Sequence, residues 1–94
     1  MPDSSLALYL RSVAANVRRL RLRRGLTQEA LAERAGLDLS YEQRVERGAT
    51  NLSMGVLVAL ARALGVPPGL LLRKARLAPP RRGRPRKETG AAPR

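Results

Sequence analysis

The stretch "LTQEALAERAGLDLSYEQRVERG", Leu26–Gly48, holds two short amphipathic runs with one glycine between them. Thr27 stands where a side-chain oxygen can cap the first run, and Leu26 and Leu31 are spaced to staple across that cap. The run "QEALAERA" stops at Gly36, a residue suited to the left-handed position that ends a helix. Asp38 is the next cap candidate and opens "LSYEQRVER" up to Gly48. Two short helices joined by a tight glycine turn make the helix-turn-helix pattern.

Working outward, the segment before this motif places Leu6, Leu10, Val13, Val17 and Leu20 three or four residues apart, one apolar stripe on a helix that begins at Ser4 or Ser5 and ends before Gly25. Beyond the loop "GATN", Ser53 is placed to cap a further helix. Leu52 and Leu57 form its staple, and Leu57, Leu60, Ala61 and Leu64 its buried face, up to Gly65. Pro67 or Pro68 then starts a short last helix through "GLLLRKA". The expected fold is all-α: five helices in one domain over residues 4–77, with the helix-turn-helix proper at 27–47. Residues 78–94, dominated by Pro, Gly and Arg, are expected to be a disordered basic tail.

Composition narrows the function. A net charge of +12 over 94 residues favours a polyanionic partner, nucleic acid before an acidic membrane surface. Half of that excess sits in the last nineteen residues, where seven cations face one carboxylate. The chain has no Cys and no His, which removes disulfides, thiolate chemistry, the usual general base and most metal sites. The Ser residues lack a base and the carboxylates are scattered, so neither an enzyme, a cofactor nor a metal is expected. With no secretory pattern at the start and no membrane-length apolar run, the expectation is a cytoplasmic, nucleoid-associated protein with no membrane or small-molecule partner.

Residues 12–72, through "LTQEALAERAGLDLSYEQRVERG" and "NLSMGVLVALARALGVPPGLL", resemble the phage-repressor-type, or XRE, helix-turn-helix regulators. The resemblance implies a five-helix, lambda-repressor-like domain that binds double-stranded DNA, usually as a homodimer on a palindromic operator. The second helix of such a motif enters the major groove and its first residues face the bases. Here those are Leu39, Ser40, Gln43 and Arg44. A guanidinium can bond O6 and N7 of guanine together, and an amide can do the same for adenine, so Arg44 and Gln43 suit direct reading while Leu39 suits a thymine methyl. Gln28 opens the preceding helix, where free amides favour a phosphate, and the resemblance adds Arg47, Thr50 and Asn51 as a second phosphate clamp. It also implies a partly buried ion pair between Arg21 and Glu46. A solvated helix face for Gln43 and Arg44, and plain turn roles for Thr50 and Asn51, are the structural alternatives.

Glu42 departs from the family pattern, which places an apolar residue there. A carboxylate facing inward is costly, and a helix starting at Ser40, boxed with Gln43, would turn it outward instead. Leu70, Leu71 and Leu72 offer more leucine than a chain end needs for its core and are the expected dimer face. The stretch "RRGRPRK", Arg81–Lys87, resembles an AT-hook: Arg82, Gly83, Arg84, Pro85 and Arg86 suit a narrow A·T minor groove. The function expected is a sequence-specific transcriptional regulator, a repressor or autoregulatory controller. The competing readings are an antitoxin that binds a toxin and an architectural A·T-DNA binder.

Overall fold

The computed structural model describes residues 4–74, and among them the chain forms five helices and no strand. They are α1 (Ser4–Arg23), α2 (Gln28–Ala35), α3 (Leu39–Glu46), α4 (Met54–Leu64) and α5 (Pro68–Leu71). The boundaries follow from local chemistry. The hydroxyls of Thr27 and Ser53 accept from the amides of Ala30 and Val56 at 3.0 and 3.1 Å, each satisfying one orphan donor of a first turn. Gly36 adopts φ 72°, a conformation that glycine enters without a Cβ penalty, and the Leu37 amide closes back onto the Ala32 carbonyl at 2.8 Å. That closure turns the chain sharply between α2 and α3. Asp38 occupies the N-cap of α3 but its side chain makes no capping bond, so this helix is held by what it packs against.

The core is a cluster of Leu and Val. Val13, Val17 and Leu20 come from α1, Leu31 from α2, Val45 from α3, Leu57, Leu60, Ala61 and Leu64 from α4, and Leu71 from α5. Helix α1 packs on α3, α4 and α5, while α2 packs on α3 and α4. The three- and four-residue spacing read in the sequence therefore faces inward along most of α1 and all of α4. The exception is the start of α1, where Leu6 is exposed and Leu10 half-buried beside Leu52, Met54 and Leu72.

Two findings correct or extend the reading of α5. Leu71 is fully buried in the core of the single chain, so it is removed from the expected dimer face; only Leu70 and Leu72, both half-buried, retain surface there. A four-residue helix has room to send one of three consecutive leucines inward, and it sends the middle one. Its last carbonyls are satisfied from α1. The buried Asn16 donates through Nδ2 to the carbonyls of Leu70, Leu71 and Arg73 at 3.3, 3.0 and 2.9 Å, and Arg19 Nη2 donates to Asn16 Oδ1 at 3.3 Å. Nothing in the spacing of the sequence marks Asn16 for this, because it lies beside the apolar stripe of α1 as one polar residue among several.

Replacing Asn16 by Ala takes away the side-chain donor of the buried Leu71 carbonyl. The expected cost is about 1–3 kcal/mol of unfolding free energy in urea, and an unchanged midpoint would contradict the capping role.

Candidate nucleic-acid interface

Helix α3 has two chemically different sides. Glu42 and Val45 are buried, and the side chain of Glu46 retains 3% exposure. Leu39, Ser40 and Arg44 are exposed, Gln43 is half-buried, and Arg47, at the C-cap, is exposed. The helix starts at Leu39, not at Ser40, and Glu42 turns inward. The alternative register that would have pointed its carboxylate to solvent is thus not the one adopted: an apolar position of the helical period has kept its direction despite carrying a carboxyl.

The inner side is tied to the rest of the domain by one ion pair and a short chain of amides. Arg21, from the last turns of α1, donates through Nε to Glu46 Oε2 at 2.7 Å and through Nη2 to Glu46 Oε1 at 3.1 Å. Its Nη1 donates to the carbonyl of Leu26 at 2.8 Å, in the turn before α2. Gln28 Nε2 also reaches Glu46 Oε1, at 3.3 Å, and Gln43 Nε2 donates to Gln28 Oε1 at 3.3 Å. The first residue of α2 and a residue on the outer flank of α3 are therefore linked directly. This brings Gln28 to the same surface as Gln43, beside the free amides at the N-terminus of an eight-residue helix.

Arg44 is also placed. Its guanidinium lies over the ring of Tyr41, 5.3 Å from the centroid, a cation–π arrangement that restrains a long side chain without using its N–H donors. Tyr41 was not singled out in the sequence, although its position three residues before Arg44 puts the two on neighbouring turns. Thr50 and Asn51 lie in the loop before α4, half-buried and exposed respectively. The candidate minor-groove residues Arg82, Gly83, Arg84, Pro85 and Arg86 lie outside the described residues.

Electrostatics around Glu46 are asymmetric. Its own burial disfavours charge, but the neighbouring Glu42, the hydrogen bonds from Arg21 and Gln28 and the charge of Arg21 outweigh burial and hold its carboxyl below the ordinary range. Glu42 goes the other way: burial first, then the neighbouring carboxyl of Glu46 and its charge, push it up to about 8 against a lowering by Arg21.

With this geometry, the comparison with known proteins is direct. The helix-turn-helix family model matches residues 17–71. Among solved structures, the restriction-modification controller protein C.AhdI from Aeromonas hydrophila is 44% identical with a TM-score of 0.64, over 66% of this chain and 94% of that one. The hypothetical transcription factor NHTF from Neisseria is 36% identical with a TM-score of 0.68, over 77% of this chain and 79% of that one. The control protein C.SmaI from Serratia marcescens is 39% identical over 77 residues, which are 79% of this chain and 92% of that protein. The chain belongs to the XRE-type helix-turn-helix family, a family of DNA-binding transcriptional regulators.

Removing one side of the buried ion pair strands the other charge. Arg21→Ala is expected to lose about 3–5 kcal/mol of stability, measured by urea unfolding, which for a domain of this size is a large share of the total. A loss under about 1 kcal/mol would place the pair in the class of screened surface contacts.

Proposed function

We propose that the protein reads a two-fold-symmetric operator in double-stranded DNA as a homodimer, and acts as a repressor or autoregulatory controller of transcription. The observation that carries this reading is the division of α3. Leu39, Ser40, Gln43 and Arg44 share its outward side, and none of them is needed to fill the core. That is the arrangement a major-groove reader requires, since base edges are reached only by side chains free of packing duties. Similarity to restriction-modification controller proteins supports the controller role.

Arg44 and Gln43 are the base-reading pair, with Leu39 and Ser40 beside them at the helix start. Gln28, Arg47, Thr50 and Asn51 bind phosphates on either side and set the docking angle. Gln28 orients Gln43 as well, through their mutual hydrogen bond. Residues 82–86 extend the contact into a flanking A·T minor groove.

One domain of this size covers little DNA, and pairing two on half-sites about one turn apart gives affinity and symmetry together. Support for pairing comes from the apolar surface where α1, α4 and α5 meet. Tyr9 and Met54 are 55% and 72% exposed there, beside Leu10, Leu52 and Leu72, which are half-buried. Leu70 lies on the adjoining short helix. This surface borders Asn51 and Ser53, so a second copy seated on it keeps the loop before α4 of both copies near the symmetry axis.

Three measurements check these assignments. Arg44→Ala is expected to erase about 1–3 kcal/mol of discrimination between operator and mismatched DNA, while Arg47→Ala weakens binding to all sequences alike. Equal losses on operator and random DNA for both variants would remove Arg44 from the reading role. Deletion of residues 78–94 is expected to cost more on A·T-flanked than on G·C-flanked operators, and the same loss on both would reduce the tail to bulk charge. The pair Tyr9→Glu and Met54→Glu is expected to yield a folded monomer in sedimentation, and a persistent dimer would move the interface elsewhere.

A further inference from the structure

The carboxyl of Glu42 is wholly enclosed, and among the described residues neither of its oxygens meets a donor. The charged groups facing it are Glu46, one turn along the same helix, and Arg21 from α1. From α2 the polar group at this cluster is the neutral amide of Gln28. Arg21 already engages Glu46 through both Nε and Nη2, which leaves one cation for two buried carboxyls. Two carboxylates cannot share such a site, because the second charge has neither water nor a counter-ion. A carboxylic acid beside a carboxylate can, since its O–H donates to the neighbour.

We propose that Glu42 is a positioning residue for the DNA-reading face: as a neutral acid it donates a hydrogen bond to Glu46 and so completes the Glu42–Glu46–Gln28–Gln43 chain that registers the outer side of α3. The inference rests on the DNA-reading role assigned to that side. Its chemistry is a proton taken from water and held on the inner carboxyl. Glu46 then presents a fixed pair of acceptor oxygens, one to Arg21 Nε and one shared by Arg21 Nη2 and Gln28. Gln28, so oriented, turns its own oxygen to Gln43. Loss of the proton puts like charges on successive turns inside the core. The response open to the fold is to divide Arg21 between them, which withdraws it from Glu46 and releases the amides.

The sign of the pH effect follows from the direction of the shift. Glu42 is raised from 4.5 to about 8. Its folded form is therefore favoured most below the ordinary carboxylate range, and that advantage declines as pH rises to about 8. The proton that completes the chain is in place up to that pH and leaves above it. Glu46, held low, stays charged throughout this window.

The test uses the full chain in two parts: a carbon-detected NMR titration of the Glu42 carboxyl without DNA, and operator affinity between about pH 7 and about pH 9 at constant ionic strength. Glu42 is expected to be neutral at neutral pH. Wild-type affinity is expected to fall about tenfold across that range, as the protonated fraction drops from about nine-tenths to about one-tenth. Glu42→Gln keeps a donor and cannot ionise, so it should match wild type at neutral pH and stay flat above it. Glu42→Leu fills the same space without a donor and should fold, stay flat with pH, and lose selectivity at the base pair read by Gln43. An ionised Glu42 at neutral pH, a Glu42→Gln profile that falls like wild type, or full selectivity in Glu42→Leu would overturn the proposal. Loss of affinity that tracks loss of helicity by circular dichroism would also overturn it, leaving only a stability role. Absence of selective DNA binding at every pH, with Glu42 found neutral, would sink the DNA-reading role itself and the positioning role with it.

Discussion

The guanidinium of Arg21 on the carboxylate of Glu46 is the contact through which α3 is oriented. Three of its nitrogens act at once, two on Glu46 and one on the Leu26 carbonyl, so a single side chain fixes the end of α1, the turn into α2 and the inner side of α3. Burial makes the pair costly to assemble and costlier to break from one side. Its contribution is therefore better understood as specificity of geometry than as net stability. The amides of Gln28 and Gln43 extend that geometry outward, from a site with little solvent to the surface proposed to meet DNA.

This dependence matters because α3 has little stability of its own. It is eight residues long, its N-cap side chain makes no capping bond, and an isolated helix of that length is marginal in water. Val45 anchors it apolarly, and the Arg21 pair anchors it electrostatically. The same economy appears at α5, a single turn held by the core contact of Leu71 and by Asn16 reaching across from α1. Both short helices borrow order from α1, the longest element of the fold.

Most of the architecture was legible in the sequence because it is written in local chemistry. Thr27 and Ser53 act as caps, Gly36 and Gly65 as stops, and the apolar period of α4 points inward along its length. What was not legible depends on tertiary neighbours. Glu42 presented a conflict between period and polarity, and the period prevailed: burial and the neighbouring Glu46 favour the neutral carboxyl there, with Arg21 opposing them. The leucines 70–72 looked equivalent, and only packing against the core distinguishes Leu71. Asn16 gained its role from carbonyls more than fifty residues away, which spacing does not reveal, and Tyr41 from the ring it offers to the guanidinium of Arg44. Leu6 shows the opposite limit, since the periodic stripe continues in the sequence to a position that the fold leaves 40% exposed.

Sequence selection by a symmetric pair of helices is the observable consequence of a DNA-reading outward side on α3. The most direct measurement is selection of preferred sites from random double-stranded DNA by the full-length protein. Two inverted half-sites about one helical turn apart are expected to be enriched, with a guanine at the position that Arg44→Ala no longer selects. Recovery of A·T-rich DNA without a repeated half-site, unchanged by that substitution, would contradict this expectation.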